Sequence, residues 1–137
     1  MKGLDTPVLL DLLRGRPGAQ GLMEAVGGEE LATTEVNLFE LEWIARAGPP
    51  RGRETRLAAL ENLRRKLTVL PIDSRATRAA AQLASNATAA VGASALLMLG
   101  AAETAGCTEW ITHRGGAWPK PRGKLAIRQV AMRTTKK

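Results

Sequence analysis

The sequence of 137 residues holds one cysteine, one histidine, one phenylalanine, three tryptophans and no tyrosine. With Cys107 alone, no intrachain disulfide, thiolate metal cage or CxxC redox pair can form. Aromatics amount to 3%, so a hydrophobic content of 45% must be supplied by Leu, Ala, Val and Ile, a composition that favours helices packed closely through small residues. No run reaches the roughly 18 apolar residues that span a bilayer. Met1 to Leu13 lacks a long apolar stretch with a cleavage site, because Asp5 and Asp11 interrupt it. The expectation is a soluble cytoplasmic protein without a membrane partner. Acidic residues are also missing from everything after His113, a segment that carries Arg114, Lys120, Arg122, Lys124, Arg128, Arg133, Lys136 and Lys137.

The formal charge is +7 and the pI about 10.5, which suits nucleic acid or an acidic protein as partner. The length fits one domain over 1–137 with a basic tail from about residue 114, and a chain of this size buries roughly two-thirds of its unfolded surface.

Lys2 to Asp5 is a short strand candidate, followed by Thr6 and Pro7 as helix N-cap and first-turn proline. Val8, Leu9, Leu12 and Leu13 fall at helical spacing and stop at Gly15 and Pro17. A second helix runs from about Gly18 to Val26, ended by Gly27 and Gly28. Leu31 to Val36 is β-competent, with Thr33 or Thr34 as cap to a helix bearing Leu38, Leu41, Ile44 and Ala45. The Pro/Gly-rich basic stretch from Gly48 to Arg53 reads as a surface loop before a helix from about Glu54 to Arg65. Leu67 to Leu70 is the clearest strand, and Asp73 caps an alanine-rich helix through about Ala84. A turn from Ser85 to Gly92, a buried helix from Ala93 to Ala105, a strand from Glu109 to Thr112 and a last strand around Leu125, Ile127 and Val130 complete the chain. Strands alternating with helices imply a three-layer α/β/α sandwich around a parallel sheet of four or five strands.

In such sheets sites form beyond the carboxyl ends of the strands. This selects Asp5, Glu35 to Glu40, Asp73, and Thr112 to Arg114. The segments GLDTPVLLDLLRG, LATTEVNLFELEWIA, LTVLPID and GASALLMLGAAETAGCTEWITHR, in that order, resemble the PIN domains of VapC-type toxins. The resemblance implies a PIN-like fold and a ribonuclease that gathers Mg²⁺ or Mn²⁺ on carboxylates, since a hard divalent ion takes oxygen ligands and activates water toward a phosphodiester. On that pattern Asp5 and Glu40 are the metal ligands and catalytic acids, with Ser94 and Thr112 as auxiliary polar groups. It also implies RNA as substrate, a cognate antitoxin and a homodimer, whose contact the apolar second helix or the Trp43 helix would supply.

Two positions depart from the family. Ser94 stands where an aspartate opens the buried helix, and Arg114 where a further acid follows the fourth strand. Pro7 likewise replaces the asparagine of the family's "DTN". An uncharged serine and a cation weaken metal binding, so the alternative is a degenerate, non-catalytic PIN domain that binds RNA or a protein. A flavodoxin-like binding module is opposed by the lack of a Gly-rich phosphate loop after the first strand.

The bland readings stand beside these. Asp5 can be a cap, Glu40 a solvated helix glutamate, and Glu35 a favourable first-turn charge. Glu42 faces elsewhere, and Glu103, nine residues along from Ser94, is rotated away. His113 reads as an exposed turn histidine, Cys107 as a small buried residue, and Trp43, Trp110 and Trp118 as core or interface. Arg51, Arg53 and Arg56 either track an RNA backbone or solvate the surface.

Overall fold

The computed structural model describes residues 1–86, 91–116 and 118–130. Part of the turn expected over Ser85 to Gly92, and the tail cations Arg133, Lys136 and Lys137, lie outside them. The elements in order are β1 (Lys2–Leu4), α1 (Thr6–Leu13), α2 (Pro17–Ala25), β2 (Leu31–Thr34), α3 (Glu35–Ala47), α4 (Arg53–Lys66), β3 (Thr68–Leu70), α5 (Ser74–Asn86), α6 (Ala93–Thr104), β4 (Glu109–Thr112) and β5 (Ala126–Gln129). No helix among the described residues is long and apolar enough to cross a membrane.

The five strands form one sheet in the order β3-β2-β1-β4-β5, and every pair is parallel. The α/β sandwich expected from the alternation of elements is therefore present, with five strands. Neighbouring residues on the strands face opposite layers. Ala32, Leu70 and Trp110 join Ala76, Leu83, Met98 and Leu99 on the α5–α6 side. Leu4 and Ile111 join Leu9, Leu22, Leu38 and Leu60 on the side of α1 to α4. Full burial of each such leucine stabilises by roughly 1.5–3 kcal/mol. On β1, Gly3 sits opposite Trp110, and a Cβ there would come within 2.4 Å of the indole, so the buried ring depends on a glycine facing it. On α6, a Cβ at Gly100 would meet the Ala76 carbonyl at 2.3 Å, so this glycine lets α5 and α6 touch backbone to backbone.

Local signals set most boundaries. Thr34 caps α3 by accepting from the N–H groups of Val36 and Asn37, and Asp73 Oδ1 accepts from Ala76 N at the start of α5. At α1 the expected cap moves by one residue. Asp5 is extended (φ −78°, ψ 162°) and its carboxylate accepts from Thr6 N, so Asp5 is the N-cap and Thr6 the first helical residue. The surface loop from Gly48 to Arg53 is held by Arg56, which donates to the carbonyls of Ala45 (3.0 Å), Pro49 (2.6 Å) and Arg51 (3.1 Å). That cation is a structural staple rather than a free one.

The candidate acid site and its family

Strand order reverses beside β1: the chain runs from β1 to β2 and β3 on one side, then crosses to β4 and β5 on the other. The crevice at the carboxyl ends of β1 and β4 is the topological switch point, where such sheets place their sites. Asp5 leaves β1 and Thr112 ends β4 at this point, while α3 lays Glu40 alongside.

Asp5 is completely buried, and its two oxygens collect five donors. Oδ1 accepts from Thr6 N (2.7 Å), Asn37 Nδ2 (3.2 Å) and Arg114 Nη2 (3.3 Å). Oδ2 accepts from Thr112 Oγ1 (2.6 Å) and Arg114 Nε (2.8 Å). A carboxylate offers about four lone-pair positions, so this one is saturated. Glu40 joins through Thr6, whose hydroxyl donates to Glu40 Oε1 at 2.5 Å, and through Arg114 Nη2 at 3.3 Å from the same oxygen. One guanidinium thus bridges both carboxylates, and two negative charges against one positive leave the cluster with a single net negative charge.

The structure brings Asp5, Glu40 and Thr112 together as the sequence predicts. It does not bring Ser94, which stands exposed in the first turn of α6 and forms no hydrogen bond to this cluster. Arg114, read from the sequence as a neighbour that weakens metal binding, proves to be the central residue. The sequence points to Thr6 only as a helix cap and to Asn37 only as part of the stretch from Glu35 to Glu40. The readable signal for Asn37 was its place three residues after Thr34, a capping-box spacing. Asn37 Oδ1 accepts from the Thr34 N–H and hydroxyl, which turns its amide nitrogen toward Asp5 Oδ1 and Thr6 Oγ1.

The other candidates have separate occupations. Glu35 approaches Arg64 at 3.6 Å, Glu42 pairs with Arg46 at 2.8 Å, and Glu103 accepts from Arg122 N at 2.6 Å. His113 is not the exposed residue expected of a polar turn. Its side chain is 7% exposed, with Nδ1 2.7 Å from the Val130 carbonyl. Nε2 is 3.0 Å from Asp11 Oδ2, a close approach that lacks the alignment of a hydrogen bond. Nδ1 is thereby engaged, Nε2 lies buried beside Asp11 without a hydrogen-bond partner, and the imidazole sits between α1 and the end of β5. Cys107 and Trp110 are buried, as a core role requires, whereas Trp43 is 64% exposed.

A divalent ion does not fit this pocket as it stands. Among the described residues no three His, Cys, Asp or Glu side chains gather closely enough to hold one. Mg²⁺ demands near-octahedral oxygen coordination and dehydrates reluctantly, and the buried carboxylate has no lone pair left to offer it.

Comparison with known proteins agrees with the architecture. VapBC from Salmonella typhimurium, solved bound to DNA, superposes with a TM-score of 0.73 at 20% identity over 92% of this chain and 96% of that one. VapBC-5 from Mycobacterium tuberculosis, a member of the VapBC toxin–antitoxin family, gives 0.67 at 25% identity over 94% and 98%. VapC20 from Mycobacterium tuberculosis, a toxin that cleaves the sarcin-ricin loop, gives 0.60 at 14% identity over 80% and 87%. No curated protein matches in sequence. The family model of the PIN domain matches residues 3–117, a span that contains Asp5, Glu40, Thr112 and Arg114, and with the strand order and switch-point acids already in place the chain belongs to the PIN domain family.

Proposed function

We propose that this protein is a VapC-type PIN domain in which metal-dependent cleavage has been replaced by binding: a cytoplasmic RNA-binding module whose protein partner is a cognate antitoxin. The observation that carries this reading is the saturation of Asp5 by five donors, two of them from Arg114. The competing reading is an endoribonuclease that holds Mg²⁺ or Mn²⁺ on Asp5 and Glu40 with Ser94 and Thr112 as auxiliaries. It requires Arg114 to leave and Ser94 to turn inward, against the contacts described.

RNA as ligand is supported by the net charge of +7 and by exposed cations. Among the described residues Arg51, Arg75, Arg78, Lys120 and Lys124 are exposed and form no ion pair with an acidic side chain. An antitoxin is supported by structural neighbours solved as toxin–antitoxin complexes. A protein contact, such as the homodimer that family resemblance implies, is supported by Phe39, Trp43 and Ile44 on α3, 61%, 64% and 42% exposed, with the two aromatic rings 5.7 Å apart. The second helix, the other candidate for such a contact, turns Ala19 and Leu22 into the core. The whole chain, basic segment included, then works as one unit.

The test incubates wild type and Asp5→Asn with single-stranded RNA and Mg²⁺ or Mn²⁺, and measures binding across a salt series. Neither protein should cleave, and wild-type binding should weaken steeply as salt rises, with a log–log slope proportional to the phosphates contacted. Cleavage that needs the metal and disappears in Asp5→Asn restores the nuclease reading.

A further inference from the structure

The acid cluster is closed by a group from its own chain, and the way that group is held says what it does. Arg114 is fixed at its main chain on both sides. Its N–H donates to Thr112 Oγ1 at 2.9 Å, and its carbonyl accepts from Trp118 Nε1 at 3.2 Å and Gln129 Nε2 at 3.1 Å. The side chain meets Asp5 as a fork, Nε to Oδ2 and Nη2 to Oδ1, and the same Nη2 reaches Glu40. A planar guanidinium with fixed donors suits this double contact, which an ammonium cannot reproduce. The Asp5 side chain has no exposure and that of Glu40 24%, so without a cation the pocket would hold two nearby carboxylates poorly reached by water.

We infer that the Arg114 guanidinium serves as the resident counter-charge of Asp5 and Glu40, in the place a divalent ion would take, so that the tie between α1, α3 and the segment after β4 is made by the chain alone. The inference rests on reading the pocket as the acid site of a PIN domain that does not cleave. Thr112 is part of the arrangement, since its hydroxyl donates to Asp5 while accepting from the Arg114 N–H, and so sets the height of the arginine above the carboxylate.

The experiment uses the full chain without RNA. Wild type, Arg114→Lys and Arg114→Ala are melted with and without millimolar Mn²⁺, and Mn²⁺ binding is followed by electron paramagnetic resonance. Wild type should bind no stoichiometric Mn²⁺ and should melt at the same temperature in its presence. Arg114→Ala should melt roughly 5–10 °C lower, as expected when one partner of a partly buried ion pair is removed. It should also be the form that Mn²⁺ stabilises, because its two carboxylates lack a cation. Arg114→Lys keeps the charge without the fork and should fall between them.

A wild-type response to Mn²⁺ overturns the inference, and so does an Arg114→Ala protein that melts like wild type. An alanine variant that melts low but ignores Mn²⁺ overturns it as well, since the pocket then lacks the unbalanced charge assigned to it. Should the alanine variant fail to fold, the wild-type Mn²⁺ measurement and the lysine variant still decide. A wild type that ignores Mn²⁺ yet fails to bind RNA would sink the proposed function and leave Arg114 in this role.

Discussion

Replacing Asn37 with aspartate changes one amide nitrogen into a carboxylate oxygen at almost constant volume, inside a pocket where that atom is completely buried. The capping arm survives, because the remaining oxygen still accepts from the Thr34 N–H and hydroxyl. The donor to Asp5 Oδ1 is lost, and a second negative charge arrives about where the nitrogen stood, 3.2 Å from that oxygen. At an effective dielectric near 20 this repulsion approaches roughly 5 kcal/mol, but the new carboxyl escapes it by taking a proton, which limits the loss. Starting from an unfolded pKa of about 3.9, holding the proton costs about 1.5 kcal/mol at pH 5 and about 4 kcal/mol at pH 7. The folded-state pKa of the new group lies above its unfolded value. The penalty is therefore absent below the unfolded pKa and grows as pH rises toward the folded one, the protonated form meanwhile donating to Asp5 as the amide did. Urea denaturation of wild type and Asn37→Asp at pH 5 and pH 7 gives the difference of differences, expected at about 2–3 kcal/mol. A stability gap that is the same at both pH values would refute the account of this pocket as buried and saturated.

Gly100→Ala gains about 1 kcal/mol of helix propensity but drives its Cβ to 2.3 Å from the Ala76 carbonyl and 2.8 Å from the Ala80 nitrogen, so a net loss of about 1–2 kcal/mol and a melting point lower by roughly 3–8 °C are expected by calorimetry. Melting at or above wild type would show that α5 and α6 separate freely. Arg56→Ala removes the three carbonyl contacts of the α3–α4 loop, and trypsin should then cut at Arg51 or Arg53 at least several-fold faster, with about 1–2 kcal/mol lost overall. Burial raises the Cys107 thiol above its ordinary value, so a disulfide reagent should label the native protein only on the timescale of unfolding, even at pH 8, and rapid native labelling would contradict the burial.

Most of the fold was legible because its punctuation is local. Thr34 and Asp73 act through the residues beside them, and helical apolar spacing does not depend on distant contacts. A parallel sheet sends the ends of its strands to one crevice, which made Asp5, the stretch holding Glu40 and Thr112 to Arg114 legible as a group, and the family pattern narrowed that group to Asp5, Glu40 and Thr112. What could not be read was the use made of long side chains. Arg114 reaches Asp5 across 109 positions of sequence, and nothing in the tripeptide THR tells whether the guanidinium turns toward the acids or into solvent. His113 was misjudged for the same reason, since its burial is created by Val130 and Asp11 rather than by its neighbours. Ser94 kept a place in the predicted site only through its position in the family pattern.

The pairing of Asp5 with Arg114 has a consequence for the order in which the protein can be completed. The carboxylate at the end of the central strand is made 109 positions ahead of its cation. During synthesis Asp5 must keep its water shell, and β1 cannot settle between its neighbours until residues 109–114 arrive, so the middle of the sheet closes after the edge formed by β2 and β3 is already made. Nascent chains stopped short of residue 109 would remain open to protease at the segment that is best shielded in the finished molecule.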